Sequence, residues 1–145
     1  MIKRLALCAA ALATLATAAA APQDPWAEQV RRILTEGGKE LENNGFSLTQ
    51  RIYTGALDEG ATETVELPLE AGTEYYIVGA CDQDCTDLDM TLMDASGRQL
   101  DIDTQPDDFP IVHVTPARAG TFRAVVSMAT CSEAPCRFGV GIYGK

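Results

Sequence analysis

The chain is poor in the side chains that do chemistry at neutral pH. It has one histidine, His113, and one tryptophan, Trp26. It contains no Gly-x-Ser-x-Gly elbow, His-Glu-x-x-His pair or phosphate-binding P-loop, and no Gly-x-Gly-x-x-Gly opening a helix: the one such spacing, Gly139 to Gly144, lies in the period-two run from Phe138. Those absences argue against a serine hydrolase, a zincin-type protease, a P-loop NTPase and a dinucleotide enzyme. No Cys-x-x-Cys occurs either, which disfavours a redox dithiol or a four-thiolate zinc site. Cations are scarce: 11 Lys and Arg face 21 Asp and Glu, for a net charge of −10. Such a surface repels phosphates, so neither nucleic acid nor an anionic bilayer suits it as a partner. It suits a cationic partner, a divalent metal or plain solubility. Paired carboxylates could in principle hydrolyse glycosides, but here they cluster on turns without aromatic neighbours to hold a sugar. His113 lies in Ile111-Val112-His113-Val114. Alternation places it on the face opposite Val112 and Val114, as a strand residue rather than a base. The sequence therefore points to a protein that is not an enzyme.

The N-terminus carries a clear signal. Lys3 and Arg4 precede an apolar run, Leu5 to Ala16, and the segment then turns small and Ala-rich up to Pro22. This is the pattern of a secretory signal peptide, and the run falls short of the roughly 20 residues a membrane helix needs. Cleavage near Ala20 or Ala21 is expected, with no stable membrane anchor afterwards. Cys8 is poorly placed for lipidation, because Leu7 stands where a small residue is needed. Removing residues 1–21 takes away Lys3, Arg4 and Cys8, which moves the net charge from −10 to −12 and leaves four cysteines of five. An even count in an exported chain reads as two disulfides. The expected location is the bacterial periplasm or the exterior.

Three segments are expected: a signal peptide over 1–21, a helix and linker over 22–45, and a β-sandwich domain over 46–145. Asp24-Pro25 is a helix start, an N-cap followed by proline at the first helical position. Trp26, Val30, Ile33, Leu34 and Leu41 recur near helical spacing, which predicts an amphipathic helix from Pro25 to Glu36 that resumes to Glu42. Its apolar stripe, Trp26 included, is expected to pack on the domain.

From Phe46 the period changes to two, the signature of strands. Val65, Leu67 and Leu69 alternate with polar residues, as do Leu88, Met90 and Leu92, then Phe122, Ala124, Val126 and Met128, then Phe138, Val140 and Ile142. Tyr75 to Ala80 is continuously apolar, as a central strand covered on both faces would be. Weaker strands fall at Gln50–Leu57, Arg98–Asp103 and Ile111–Thr115. Turns ending in glycine separate these runs: Asp58-Glu59-Gly60, Glu70-Ala71-Gly72, Asp94 to Gly97, and Ala117 to Gly120. The fold class that follows is mainly β, an antiparallel β-sandwich of jelly-roll type with about eight strands and one N-terminal amphipathic helix.

Residues 62–143 resemble the bacterial pre-peptidase C-terminal domain, a β-sandwich found beside secreted proteases. The resemblance lies in Glu70-Ala71-Gly72-Thr73-Glu74-Tyr75-Tyr76, in Asp87-Leu88-Asp89-Met90-Thr91-Leu92, in Asp94-Ala95-Ser96-Gly97 with Asp101, and in Gly120-Thr121-Phe122-Arg123-Ala124-Val125. It implies an accessory, non-catalytic role, with calcium binding or substrate attachment in some members. The chain departs from that pattern in its leading helix, its two close cysteine pairs and its lack of a protease domain.

Three residue groups could form sites. Cys81 and Cys85, and Cys131 and Cys136, are expected to pair locally, each bridge stapling a loop tip. The rival long-range pairings would close about 50 residues and constrain the unfolded chain more strongly, by about 4 against 2 kcal/mol. Asp82, Asp84, Asp87 and Asp89 fall within eight residues and are the candidate calcium ligands, since calcium takes six to eight oxygens. Their spacing does not fit an EF-hand loop. Asp89, Asp101 and Asp103 can instead be outward strand residues alternating with Leu88, Met90, Leu100 and Ile102. Tyr53, Tyr76, Val125 and Tyr143 form a candidate partner surface if they share one sheet face. Two functions stay open. One is a non-catalytic exported binding or accessory domain, for calcium, a glycan or an envelope protein. The other is a structural or stress-related cell-envelope protein with no small-molecule ligand.

Overall fold

The computed structural model describes residues 23–145. The expected signal peptide and Cys8 lie outside the described residues. Two helices come first, α1 (Pro25–Gly37) and α2 (Lys39–Asn43). Nine strands follow: β1 (Ser47–Leu48), β2 (Tyr53–Leu57), β3 (Thr62–Leu69), β4 (Tyr75–Cys81), β5 (Cys85–Met93), β6 (Gln99–Asp103), β7 (Ile111–Val114), β8 (Gly120–Cys131) and β9 (Cys136–Gly144). Every stretch with a period of two is a strand. The extra strand beyond the expected eight is the two-residue β1, which pairs with the end of β9.

The strands form two antiparallel sheets. The first has the order β1-β9-β4-β7, with β2 also on β9; the second has the order β3-β8-β5-β6. From β2 to β5 the chain crosses between the sheets at every step. It then runs β5 to β6 within the second sheet, and returns through β7, β8 and β9. With β1 and β2 both paired to β9, the two interleaved sheets, of five and four strands, have the order of a jelly roll. Leu67, Leu69, Ile77, Leu88, Met90, Leu92, Ala124, Val126, Phe138 and Ile142 fill the space between the sheets. Turn chemistry also holds. Gly97, at φ +86°, closes the Asp94 turn in a conformation that costs other residues energy. Gly120, by contrast, has no positive φ and opens β8.

Helix α1 lies on the outer face of the first sheet. Asp24 caps it, its Oδ1 accepting from the amides of Trp26 at 3.0 Å and Ala27 at 3.3 Å. Arg137 of β9 donates to Asp24 Oδ2 at 2.6 Å, and this bond, more than the cap, holds the Asp24 carboxyl below its usual pKa. Ala27, Val30 and Leu34 face the sheet and pack with Phe46, Val78, Ala80 and Tyr143. So β4 is buried on both faces, as its unbroken apolar run indicated. The close approach depends on Gly139, where a Cβ would stand 2.7 Å from Val30 Cγ1 and 2.9 Å from Leu34 Cδ1.

Three expectations need correction. Trp26 is not in the core: it keeps 39% of its surface exposed. The buried stripe is set by Ala27, Val30 and Leu34, and Trp26 lies one residue, about 100°, to the side of it. Tyr143 is not an outward surface residue: it is 1% exposed beneath α1, donating its hydroxyl to the Leu34 carbonyl at 2.9 Å. Burial pushes its pKa up. Asp101 and Asp103 do not point outward. The β5–β6 register pairs Met93 with Gln99 and Leu92 with Asp101, so Leu100 is an extra, bulged residue. A bulge reverses the phase of everything beyond it. Ile102 is consequently 47% exposed, whereas Asp103 and Asp101 turn toward β7. They accept from the free-edge amides of Ile111 at 2.9 Å and His113 at 2.8 Å. The exposed edge of one sheet is thereby closed by carboxylates of the other, which blunts it against stray strand pairing.

Candidate functional site

The two ends of the sandwich differ. One end carries all four described cysteines. Cys81 bonds to Cys85 and Cys131 to Cys136, the local pairing expected from the sequence. The bridges close the β4–β5 turn and the β8–β9 hairpin tip. Asp82 joins the two loops. It is 3% exposed, and its Oδ2 accepts from the Arg137 amide at 2.6 Å while its Oδ1 accepts from the Asp84 amide at 3.3 Å. Its own amide donates to the Arg137 carbonyl at 2.9 Å. The Asp84 carbonyl takes the Ser132 amide at 2.8 Å and hydroxyl at 2.9 Å, and Glu59 accepts from the Cys131 amide at 3.0 Å.

Cys85 and Cys131 are direct register partners on β5 and β8. The Ser132 amide bond to the Asp84 carbonyl beside them marks a pair that exchanges no ladder hydrogen bonds of its own. Such pairs bring Cα atoms to about 4.5 Å, within the roughly 4.4–6.8 Å that a disulfide spans. The double variant Cys81→Ser/Cys136→Ser, refolded in a glutathione redox buffer, should therefore form a Cys85–Cys131 bridge. Mass spectrometry would then find a product two hydrogens lighter than the dithiol and unreactive to thiol reagents. Two free thiols under the same conditions would contradict this register.

The four carboxylates proposed as calcium ligands are not gathered into one set. Asp82 is inside the loop junction, with its oxygens committed to backbone amides. Asp84 lies in the Cys81–Cys85 turn, and Asp87 and Asp89 are on β5. Among the described residues no three His, Cys, Asp or Glu side chains are grouped as a metal would need. Asp87 Oδ1 is enclosed without a hydrogen-bond partner. Asp89 has its pKa raised, first by burial and then by the charges of Asp87 and Asp103. A carboxyl whose folded pKa is raised destabilises the fold when ionised, and the penalty fades as pH falls through that pKa toward the unfolded value. Asp89→Asn should therefore raise the melting temperature at pH 7 by about 2 °C and have no effect near pH 3.5. Melting curves of the two proteins across that range check it; a constant difference would assign the gain to another cause.

The proposed aromatic surface is dispersed. Val125 is on the second sheet and the three tyrosines belong to the first. Tyr53 reaches across the gap to hydrogen-bond Glu63 of β3, which raises the pKa of its phenol. Tyr76 and Tyr143 are register partners on one face, but that is the face the helices cover. His113 Nε2 is 3.0 Å from Glu74 Oε1, and its ring lies 4.7 Å from that of Tyr76 at a tilt of 47°.

Two depressions stand out among the described residues. The groove between α1 and β2 is lined by Asp24, Glu28, Arg31, Thr54 and Arg137. Its charges satisfy one another: Arg137 bonds to Asp24 at 2.6 Å, and Arg31 bonds to Thr54 at 3.0 Å and lies 3.7 Å from Glu28. The second is a cleft of about 740 Å³ at the end opposite the disulfides. It opens between the β5–β6 turn and the β7–β8 loop, where the two sheets part. Leu100, Val114, Pro116, Ala117 and Phe122 line it, with Asp94, Arg98 and Arg118 among the polar residues. Asp94 is locked: its Oδ1 accepts from the Ser96 hydroxyl at 2.6 Å and from the Ser96 and Arg98 amides at 2.9 and 3.0 Å. Its Oδ2 accepts from Arg98 Nε at 3.1 Å. These bonds, the Ser96 hydroxyl foremost, lower its pKa to about 2, so the Asp94–Arg98 pair is neutral overall. Among the described residues no hydrogen bond or ion pair engages the Arg118 guanidinium.

Sequence reasoning did not find this cleft. Its walls come from two loops some 20 residues apart, and the only local signal is Arg118 standing among small residues in Ala117-Arg118-Ala119-Gly120. No protein-family model matches the chain, and no curated protein matches it.

Proposed function

We propose that the chain is an exported, non-catalytic binding module of accessory type, and that the cleft at its unstapled end is where it takes an apolar ligand. The observation that carries this reading is the cleft itself. Its volume falls in the range of small-molecule sites, about 300–1,000 Å³, and its walls are mainly apolar with a few polar groups at fixed places. The resemblance to the pre-peptidase C-terminal domain points the same way, toward an accessory rather than a catalytic part. Two bridged cysteine pairs suit an oxidising compartment, consistent with periplasmic or extracellular residence. The stapled end serves as a rigid base, and the opposite loops face the ligand.

An environment-sensitive apolar fluorophore, anilinonaphthalene sulfonate, tests the site. The wild type should bind it saturably, and Ala117→Trp, which fills the cleft from an exposed position, should abolish binding without lowering the melting temperature. Ile102→Ser, on the outer face of the second sheet, should leave binding unchanged. Equal fluorescence from wild type and Ala117→Trp would contradict the assignment.

A further inference from the structure

We infer that the occupant of this cleft is an aliphatic carboxylate, its head held by Arg118 and its chain laid against Leu100, Val114, Pro116 and Phe122. The inference rests on the proposed reading of the cleft as a ligand site and adds the class of ligand.

Charge comes first. The chain as a whole is strongly anionic, at −10, yet the cleft is not. Of its three charged residues, Asp94 and Arg98 cancel in an ion pair at 3.1 Å, which leaves Arg118 as one uncommitted cation. A guanidinium with free donors is complementary to a single carboxylate, which it can grip through two parallel hydrogen bonds.

Hydrogen-bonding capacity comes second, and it selects the rest of the ligand. On the β5–β6 side Asp94 is spent on its neighbours, and Arg98 gives its Nε to Asp94 while its side chain stays 75% exposed. Both oxygens of Asp94 are taken by Ser96 and Arg98, and across the cleft the Pro116 carbonyl accepts from the Gly72 amide at 2.8 Å. A peptide or a sugar would bring amides or hydroxyls that lose water against Leu100, Val114, Pro116 and Phe122 and find few partners beside them. An alkyl chain brings none. A ligand polar at one end only is what these walls accept: one cation at the rim, apolar side chains within.

Calorimetric titration of the full oxidised protein with decanoate below its micellar concentration and with decanol below its solubility limit tests this. Decanoate should bind one to one, about tenfold more tightly than decanol. Arg118→Gln should weaken decanoate about tenfold and leave decanol unchanged. Arg118→Lys should recover part of the difference, because it keeps the charge and loses the fork. Melting curves will show these exposed-site variants to be folded. Equal affinity for the two ligands, unchanged in Arg118→Gln, would overturn the carboxylate inference while leaving the apolar cleft in place. Failure of both ligands to bind would overturn the inference and, with it, the cleft as a ligand site.

Discussion

Asp82→Ala is expected to destabilise the protein by about 3 kcal/mol and to lower its melting temperature by roughly 10 °C. Asp82 is the only charged side chain buried among the described residues, at 3% exposure. A buried carboxylate survives there because it is hydrogen-bonded, to the Arg137 amide at 2.6 Å and the Asp84 amide at 3.3 Å. Alanine removes both acceptors. Two amides between the stapled loops then lose their partners in a place water does not reach, and a hydrogen bond to a charged group is worth about 1.5–3 kcal/mol. Asp82→Asn should fall between, since its carbonyl can serve one amide while its NH2 meets the other donor unfavourably. Neither change should break the disulfides, so the loss belongs to the hydrogen bonds and not to the staples. Guanidinium unfolding of the three oxidised proteins measures it. A loss under about 1 kcal/mol for Asp82→Ala would mean that the loop junction admits water.

Gly139→Val should have an effect as large, at the other layer of the fold. A Cβ at this position would lie 2.7 Å from Val30 Cγ1, 2.9 Å from Leu34 Cδ1 and 3.0 Å from the Tyr53 carbonyl oxygen. The two side-chain ends can turn away; the carbonyl of β2 cannot move without disturbing its pairing with β9. Valine adds two further methyl groups in the same space. Overpacking of this kind costs about 3 kcal/mol, and the weakest contact gives first. That contact is the seat of α1, which is held by Ala27, Val30 and Leu34, by a bond from Tyr143 to its last turn, and by the surface ties of Arg137 to Asp24 and Arg31 to Thr54. Hydrogen exchange should show α1 amides losing protection while β4, β5 and β8 keep theirs. If α1 stays protected and the strands loosen instead, the helix is not the compliant layer.

Much of this architecture was legible from residue order. Alternation of Val65, Leu67 and Leu69, and of Phe122, Ala124, Val126 and Met128, marks half-buried strands because side chains on a strand face opposite sides in turn. The unbroken run from Tyr75 to Ala80 marks a strand with cover on both sides, and α1 and the second sheet supply that cover. Asp24-Pro25 marks the helix start because cap and proline act locally. The local disulfides follow from the hairpin tip around Ser132 to Pro135.

What was not legible depends on contacts distant in sequence. The bulge at Leu100 reverses Asp101, Ile102 and Asp103, and only the pairing with β5 reveals it. Tyr143 reads as an outward strand residue until α1 is laid over it. Trp26 lies beside the helical stripe and not in it, a difference of one residue that the footprint of the helix on the sheet decides. The acidic run Asp82 to Asp89 looks like a ligand set in sequence, but it spans a turn and a strand, so its carboxylates face different neighbours. The cleft is invisible in sequence for the same reason as the bulge: its two walls meet only when the sheets pack.

The central claim is that binding belongs to the unstapled end. The most direct measurement is the change in backbone amide NMR shifts of the isotope-labelled, oxidised protein as decanol is added. A neutral ligand keeps the outcome independent of Arg118. The account predicts shifts confined to residues 94–100 and 114–122, with Cys81 to Cys85 and Cys131 to Cys136 unmoved. Shifts centred on the stapled loops or on the α1–β2 groove, or none at saturating ligand, would contradict it.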